Sequence, residues 1–161
     1  MAGISGSGHA GHEAMTNARF AVSWSNRAHN LHQAGLYGEA LAASDIALSF
    51  DSVLAAAWIN KSNALLGLRR YSEARDAAER ALRVKLRSAT AWNNLAAALN
   101  GMGNYDEALA ATEQSLSFAP GMRFPAAWSN QAVALGGLSR HAEAVIAFSQ
   151  ALAQNPNFDP A

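Results

Sequence analysis

Residues 91–120 read AWNNLAAALNGMGNYDEALAATEQSLSFAP, and this stretch decides the fold. Trp92, Leu95, Leu99 and Met102 recur at helical spacing and give one apolar stripe. Gly103 follows, where a helix end wants a residue tolerant of positive φ. A second helical run then opens at Tyr105 and carries Ala108 on its crossing face, so the stretch predicts two helices joined by a tight turn.

Outward from it, the same signals return. All four tryptophans, Trp24, Trp58, Trp92 and Trp128, share one register, separated by 34, 34 and 36 residues. Tyr37, Tyr71 and Tyr105 each stand 13 residues after their Trp, and His141 takes that place in the fourth copy. Ala40, Ala74, Ala108 and Ala144 follow, each preceded by an acid, Glu39, Glu73, Glu107 and Glu143. Small residues such as Ala74, Ala78 and Ala81 allow two helices to approach closely.

A unit of about 34 residues that reads Trp, then Tyr-x-Glu-Ala, resembles the tetratricopeptide repeat. The resemblance covers residues 21–158 and implies an all-α fold, a right-handed α-solenoid of four helix-turn-helix repeats. Departures from the family pattern are Arg27-Ala28, Lys61-Ser62, Leu95-Ala96 and Gln131-Ala132 in place of Leu-Gly. The large aromatic of the second helix survives only as Phe148, being Ser44, Ala78 and Thr112 elsewhere, and the closing Pro only as Pro120 and Pro156.

The expected organisation is a flexible tail or expression scar over 1–16, then one array over 17–161, with repeats at about 21–54, 55–88, 89–124 and 125–158. Helices are expected near 18–34, 37–50, 55–68, 71–85, 89–102, 105–118, 125–137 and 141–153. Gly35, Gly103 and the Gly136-Gly137 pair are expected to end first helices. Two extra residues near Gly121, Met122 and Arg123 predict a longer loop before the fourth unit.

Composition bounds the function. Twelve basic and twelve acidic residues balance, which argues against a nucleic-acid binder steered by a positive field. Without cysteine there is no disulfide, thiolate site or Cys nucleophile. No apolar run reaches the roughly 18 to 20 residues of a membrane span, so a soluble, cytoplasmic chain without direct membrane insertion is expected. No Ser-His-Asp grouping, phosphate-cradling loop or carboxylate pair can be assembled, so neither catalysis nor a cofactor is expected. His29 with His32, and His9 with His12, lack a third ligand for a metal.

The strongest functional signal is an Asn two places after each Trp: Asn26, Asn60, Asn94 and Asn130. Asn is a mediocre residue inside a helix, so four copies at one position need a reason. A carboxamide offers donors and an acceptor that match a peptide bond. What the resemblance implies is that first helices line a concave groove, where such a row holds an extended peptide by its backbone. Ser25, His29, Asn63, Asn93, Asn100 and Ser129 would widen that surface. The same amides could instead bond between units and fix repeat packing, and both readings stand at this point. The family's chaperone-binding members clamp a carboxylate with Lys and Arg, and only Arg27 and Lys61 lie near the row here.

Eight of the twelve basic residues fall between Lys61 and Arg87, against three acids. Asp76 with Arg80 and Glu79 with Arg83 are i,i+4 pairs on a solvated face. Arg69, Arg70, Arg75 and Arg87 are left over and could dock an acidic partner. The last helix would expose some of Val145, Phe148 and Leu152, an invitation to a homo-oligomer or a partner helix. Three functions therefore compete: a scaffold binding a protein or peptide partner, an assembly subunit docking through its end or basic face, and the regulatory array of a larger protein.

Overall fold

The computed structural model describes residues 6–120 and 124–154, with side chains from residue 10 onward. Eight helices follow one another among the described residues: α1 (Gly6–Gln33), α2 (Tyr37–Phe50), α3 (Ala55–Gly67), α4 (Tyr71–Val84), α5 (Ala89–Met102), α6 (Tyr105–Ser117), α7 (Pro125–Gly137) and α8 (His141–Gln154). Each packs on its sequence neighbours, and the first helices α1, α3, α5 and α7 also touch in series, the layering of an α-solenoid. Trp58 and Trp92 are partly buried and pack on a core dominated by alanine, including Ala78, Ala81, Ala91 and Ala96. Small side chains at the crossings let the axes come close, so dispersion contacts between backbones do much of the packing.

Every first helix ends in the same backbone turn. The N–H of Leu36, Arg70, Asn104 and Arg140 donates back to the carbonyl of Leu31, Leu65, Leu99 and Leu135, each at 2.9 Å. The turn needs one left-handed residue, and that residue is Gly35 (φ 76°), Arg69 (58°), Gly103 (79°) and Ser139 (60°). Gly35 and Gly103 thus do what the sequence suggested. Gly136 and Gly137 close α7, as expected, but without the positive φ, which Ser139 carries.

Gly137 serves another contact. A Cβ on it would lie 2.5 Å from the ring of Tyr105, and one on Gly67 would lie 2.5 Å from Tyr37 Cδ1. Gly101 meets Tyr71 in the same way, so each unit's tyrosine packs flat on the following unit's glycine. The tryptophans have a second role beyond packing. Trp58 Nε1 donates to Ser52 O and Trp92 Nε1 to Leu86 O, both at 2.9 Å, which pins the loops that enter the second and third units.

The start of α1 corrects the expected tail. Residues 6–16 are helical instead of flexible, because a helix anchored by the packed segment from Ala21 extends cheaply through Ala10, Glu13, Ala14, Met15 and Ala18. Met15 and most of its neighbours there are exposed, so propagation and not burial forms this turn. The loop expected at Gly121, Met122 and Arg123, and Pro156, fall outside the described residues.

Candidate functional site

The asparagine row lies on the first helices, and its members have unlike surroundings. Asn60 is 8% exposed and Asn94 is 3% exposed, whereas Asn26 is exposed and Asn130 half-buried. Asn60 Nδ2 donates to Ser25 O at 2.8 Å and to Ser25 Oγ at 3.0 Å, bridging α3 to α1. Asn94 Nδ2 donates to Asn63 Oδ1 at 2.7 Å and, more weakly, to Ile59 O at 3.4 Å. Asn130 Nδ2 repeats the pattern on Asn93, at 2.9 Å to Oδ1 and 3.4 Å to O. Asn100 Nδ2 donates to Asn130 O at 2.9 Å, tying α5 to α7 from the other side.

Asn60, Asn94 and Asn130 therefore join unit to unit, and at Asn60 and Asn94 burial explains why an amide is kept there. A buried N–H without an acceptor would cost about 1–3 kcal/mol, and the first helix of the preceding unit supplies one each time. Beside the row runs a shallower set. Asn63 and Asn93 are half-buried and accept from it through their oxygens. Among the described residues neither Asn63 Nδ2 nor Asn93 Nδ2 donates to the protein. Ser129 is half-buried on α7, while Ser25 is buried and already committed to Asn60.

At the first unit, His29 is exposed and His32 half-buried with its ring centroid 5.4 Å from that of Tyr37. Burial, and then the neighbouring His29, hold His32 below the ordinary histidine range, which favours its neutral form. The cations near the row face elsewhere. The Arg27 guanidinium lies 5.2 Å from the centre of the Trp24 ring, and Lys61 Nζ bonds Asp45 Oδ1 at 2.6 Å while lying over Trp58.

The basic second unit is less free than its sequence suggests. Arg70 forks onto Glu73 at 2.7 and 2.6 Å, and Arg75 bonds Asp76 at 2.8 Å with Glu79 at 3.9 Å. Arg87 lies over the Phe118 ring at 5.6 Å, and Arg80 over Trp58 at 5.7 Å instead of pairing with Asp76. Of the four arginines expected to be uncompensated, only Arg69 has no partner among the described residues. The i,i+3 and adjacent pairs are reached by rotamer choices that spacing alone does not disclose.

At the far end, α8 exposes Val145 (66%), Ile146 (63%) and Phe148 (47%) beside an open cavity of about 410 Å³. His141, Ala144, Val145 and Phe148 line it together with Ala132 and Val133 of α7. Among the described residues no helix is long and apolar enough to cross a membrane.

Comparison with known proteins agrees with this geometry. Residues 59–123 match the family model described as tetratricopeptide repeat. A crystal structure of MamA superposes with a TM-score of 0.70 at 24% identity, over 84% of this chain and 78% of that one. PilF of Pseudomonas aeruginosa gives 0.74 at 19% identity, over 88% of this chain and 64% of that one. The first tetratricopeptide domain of Spaghetti, bound to the HSP90 peptide SRMEEVD, gives 0.65 at 18% identity, over 80% of this chain and 95% of that one. Likeness at these identities speaks for the fold. No curated protein sequence matches the chain. With three Trp-to-Tyr registers, a fourth closed by His141, four like turns and the family model over residues 59–123, the described residues have the fold of a tetratricopeptide repeat array, and residues 59–123 match that family.

Proposed function

We propose that the array is a protein-interaction scaffold that holds an extended partner segment along its first-helix face. Tetratricopeptide proteins generally mediate protein–protein interaction, and one structural neighbour was solved with a peptide bound. The observation that carries the reading is the two-deep arrangement of amides. Asn60, Asn94 and Asn130 spend their nitrogens on the preceding unit, which fixes the oxygens of Asn63 and Asn93 inward and leaves their N–H groups for a ligand. Asn26, His29 and Ser129 complete an uncharged polar strip suited to peptide carbonyls, whereas Asn100, also expected on this surface, spends its Nδ2 on Asn130 O.

The ligand is held by its backbone and not by acidic side chains, because the cations nearest the row are committed to Trp rings and Asp45. The test is a displayed peptide library panned on the wild type, with anisotropy then measured on the selected peptides. Asn63→Ala with Asn93→Ala should weaken binding at least about tenfold while helicity persists. Unchanged affinity in that folded variant would overturn the groove reading.

A second reading has its own observation. The exposed apolar face of α8 fits an assembly role in which the chain docks through its C-terminal helix. The Arg69 side of the second unit offers less for an acidic partner than its composition promised, since Arg70, Arg75 and Arg87 are engaged.

A further inference from the structure

The second unit carries a cavity on the side of α3 turned away from the asparagine row. Trp58, Lys61 and Leu65 recur at spacings of three and four on one face of α3, roughly half a turn around the helix from Asn60 and Asn63. On α4, Glu73, Asp76, Ala77 and Arg80 share the face that meets them. Between the two faces lies an open cavity of about 220 Å³. Leu65 and Ala77 are buried and Trp58 is half-buried, so its floor is apolar.

The charges around that floor are unequally spent. Lys61 Nζ lies 5.5 Å and the Arg80 guanidinium 5.7 Å from the centre of the Trp58 ring, so two cations meet at one indole. The carboxylates of the cavity answer to arginines outside it: Glu73 bonds Arg70 at 2.6 Å and Asp76 bonds Arg75 at 2.8 Å. Lys61 gives one of its three donors to Asp45. Arg80 is exposed, and among the described residues none of its N–H groups donates to a protein acceptor. No other unit repeats the arrangement. At the places of Lys61 and Arg80 the first unit holds Arg27 and Ile46, the third Leu95 and Gln114, and the fourth Gln131 and Gln150.

We propose that this cavity takes a carboxylate carried on a short apolar stem, the stem lying on Trp58 and Leu65 and the carboxylate between Lys61 and Arg80. A dianion such as phosphate fits less well, because Glu73 and Asp76 stand in the same cavity with like charge. The site is separate from the asparagine row and does not depend on the peptide reading of that row. Its ligand arrives either as a glutamate side chain of a partner docked on the second helices or as a free small acid.

Nitrogen-resolved NMR of the full chain tests this, since the four indole N–H signals report the four units one by one. N-acetylglutamate N-methylamide, and in a second titration phenylacetate, should shift the Trp58 indole signal saturably at about millimolar concentration and leave those of Trp24, Trp92 and Trp128 in place. Arg80→Gln should weaken this binding about tenfold with circular dichroism unchanged, while Arg83→Gln, a turn further along α4, should not. Binding of either acid supports the site: tighter binding of the blocked glutamate points to a partner's side chain, and tighter binding of phenylacetate to a free small acid. The site falls if the Trp58 signal shows no saturable shift, if Arg80→Gln binds as the wild type does, or if inorganic phosphate binds as tightly as the acids.

Discussion

Asn26 and Asn94 hold the same register in the first and third units, and their surroundings are opposite. Asn94 is buried and donates to Asn63, while Asn26 is exposed, flanked by Ser23, Asn30 and Gln33 where the third unit has Ala91, Ala98 and Gly101. What differs is the presence of a preceding unit. An identical residue is mortar in the interior of the array and a solvated group at its head, so the repeat register alone does not assign a role. Substitutions made in pairs, one at the head and one inside, can break or sharpen that contrast.

The largest difference is expected where a ring lies on a glycine. Gly101→Ala drives a methyl group into Tyr71 and should cost about 2–3 kcal/mol by denaturant unfolding, more than the helix propensity it gains. Gln33→Ala, at the same place on α1 with no preceding tyrosine, should stay within about 0.5 kcal/mol. If Gly101→Ala proves equally silent, the tyrosine ring is not what sets the distance between units.

Next comes the row itself. Asn94→Ala removes two donors and leaves Asn63 Oδ1 without one, and should destabilise by about 1–2 kcal/mol. Asn26→Ala should be nearly neutral in stability, within about 0.5 kcal/mol, and show itself only in peptide affinity. A double-mutant cycle of Asn94→Ala with Asn63→Ala reads the amide pair directly. Equal losses at Asn26 and Asn94 would mean the row is not graded by its neighbours.

Much of this was legible beforehand, for a physical reason: in a repeat array, local pattern and global contact share one period. The Trp, Tyr and Ala registers placed the starts of α2 to α8, because each helix begins where an apolar stripe begins. The start of α1 was not legible, since nothing packs on residues 10–15 and only helix propagation decides them. The left-handed position was legible but misread. Gly35, Arg69, Gly103 and Ser139 all stand eleven places after their Trp, yet the Gly136-Gly137 pair drew attention by residue type instead of register. Gly67, Gly101 and Gly137 likewise stand nine places after theirs, a signal for the tyrosine contact. The amides showed their row but not their division of labour, because which acceptor an Asn finds depends on how far the adjacent helix sits. Whether Asn63 and Asn93 then bind a ligand is a property of a partner, and no pattern in this chain encodes it.

The turns give a smaller effect of alternating sign. Arg69 and Ser139 sit at positive φ where the first and third units have glycine, so Arg69→Gly and Ser139→Gly should each stabilise by about 1 kcal/mol. Gly35→Ala and Gly103→Ala should lose about as much. Thermal melts of the four variants test whether one turn geometry is enforced in all units. Destabilisation by Arg69→Gly would show that its side chain supplies something the backbone argument omits.

The smallest effect concerns two ion pairs at equivalent places, Arg70 with Glu73 in the interior and Arg140 with Glu143 at the end. Hydrogen bonds from the arginines hold both carboxyls below their ordinary range, and at Glu73 the charge of Lys61 adds to this. A carboxyl depressed in the folded state stabilises above its unfolded value, and that contribution disappears as pH falls through the folded value. Glu73→Gln and Glu143→Gln should therefore melt slightly below the wild type near neutral pH and together with it at about pH 3. Because both pairs stand in solvent, the difference should be small and should vanish in about 1 M salt. Lys61 makes the interior pair the more sensitive of the two. A larger loss at Glu143 would instead point to a terminal unit held by its surface charges, as expected where the packing that secures interior junctions is missing.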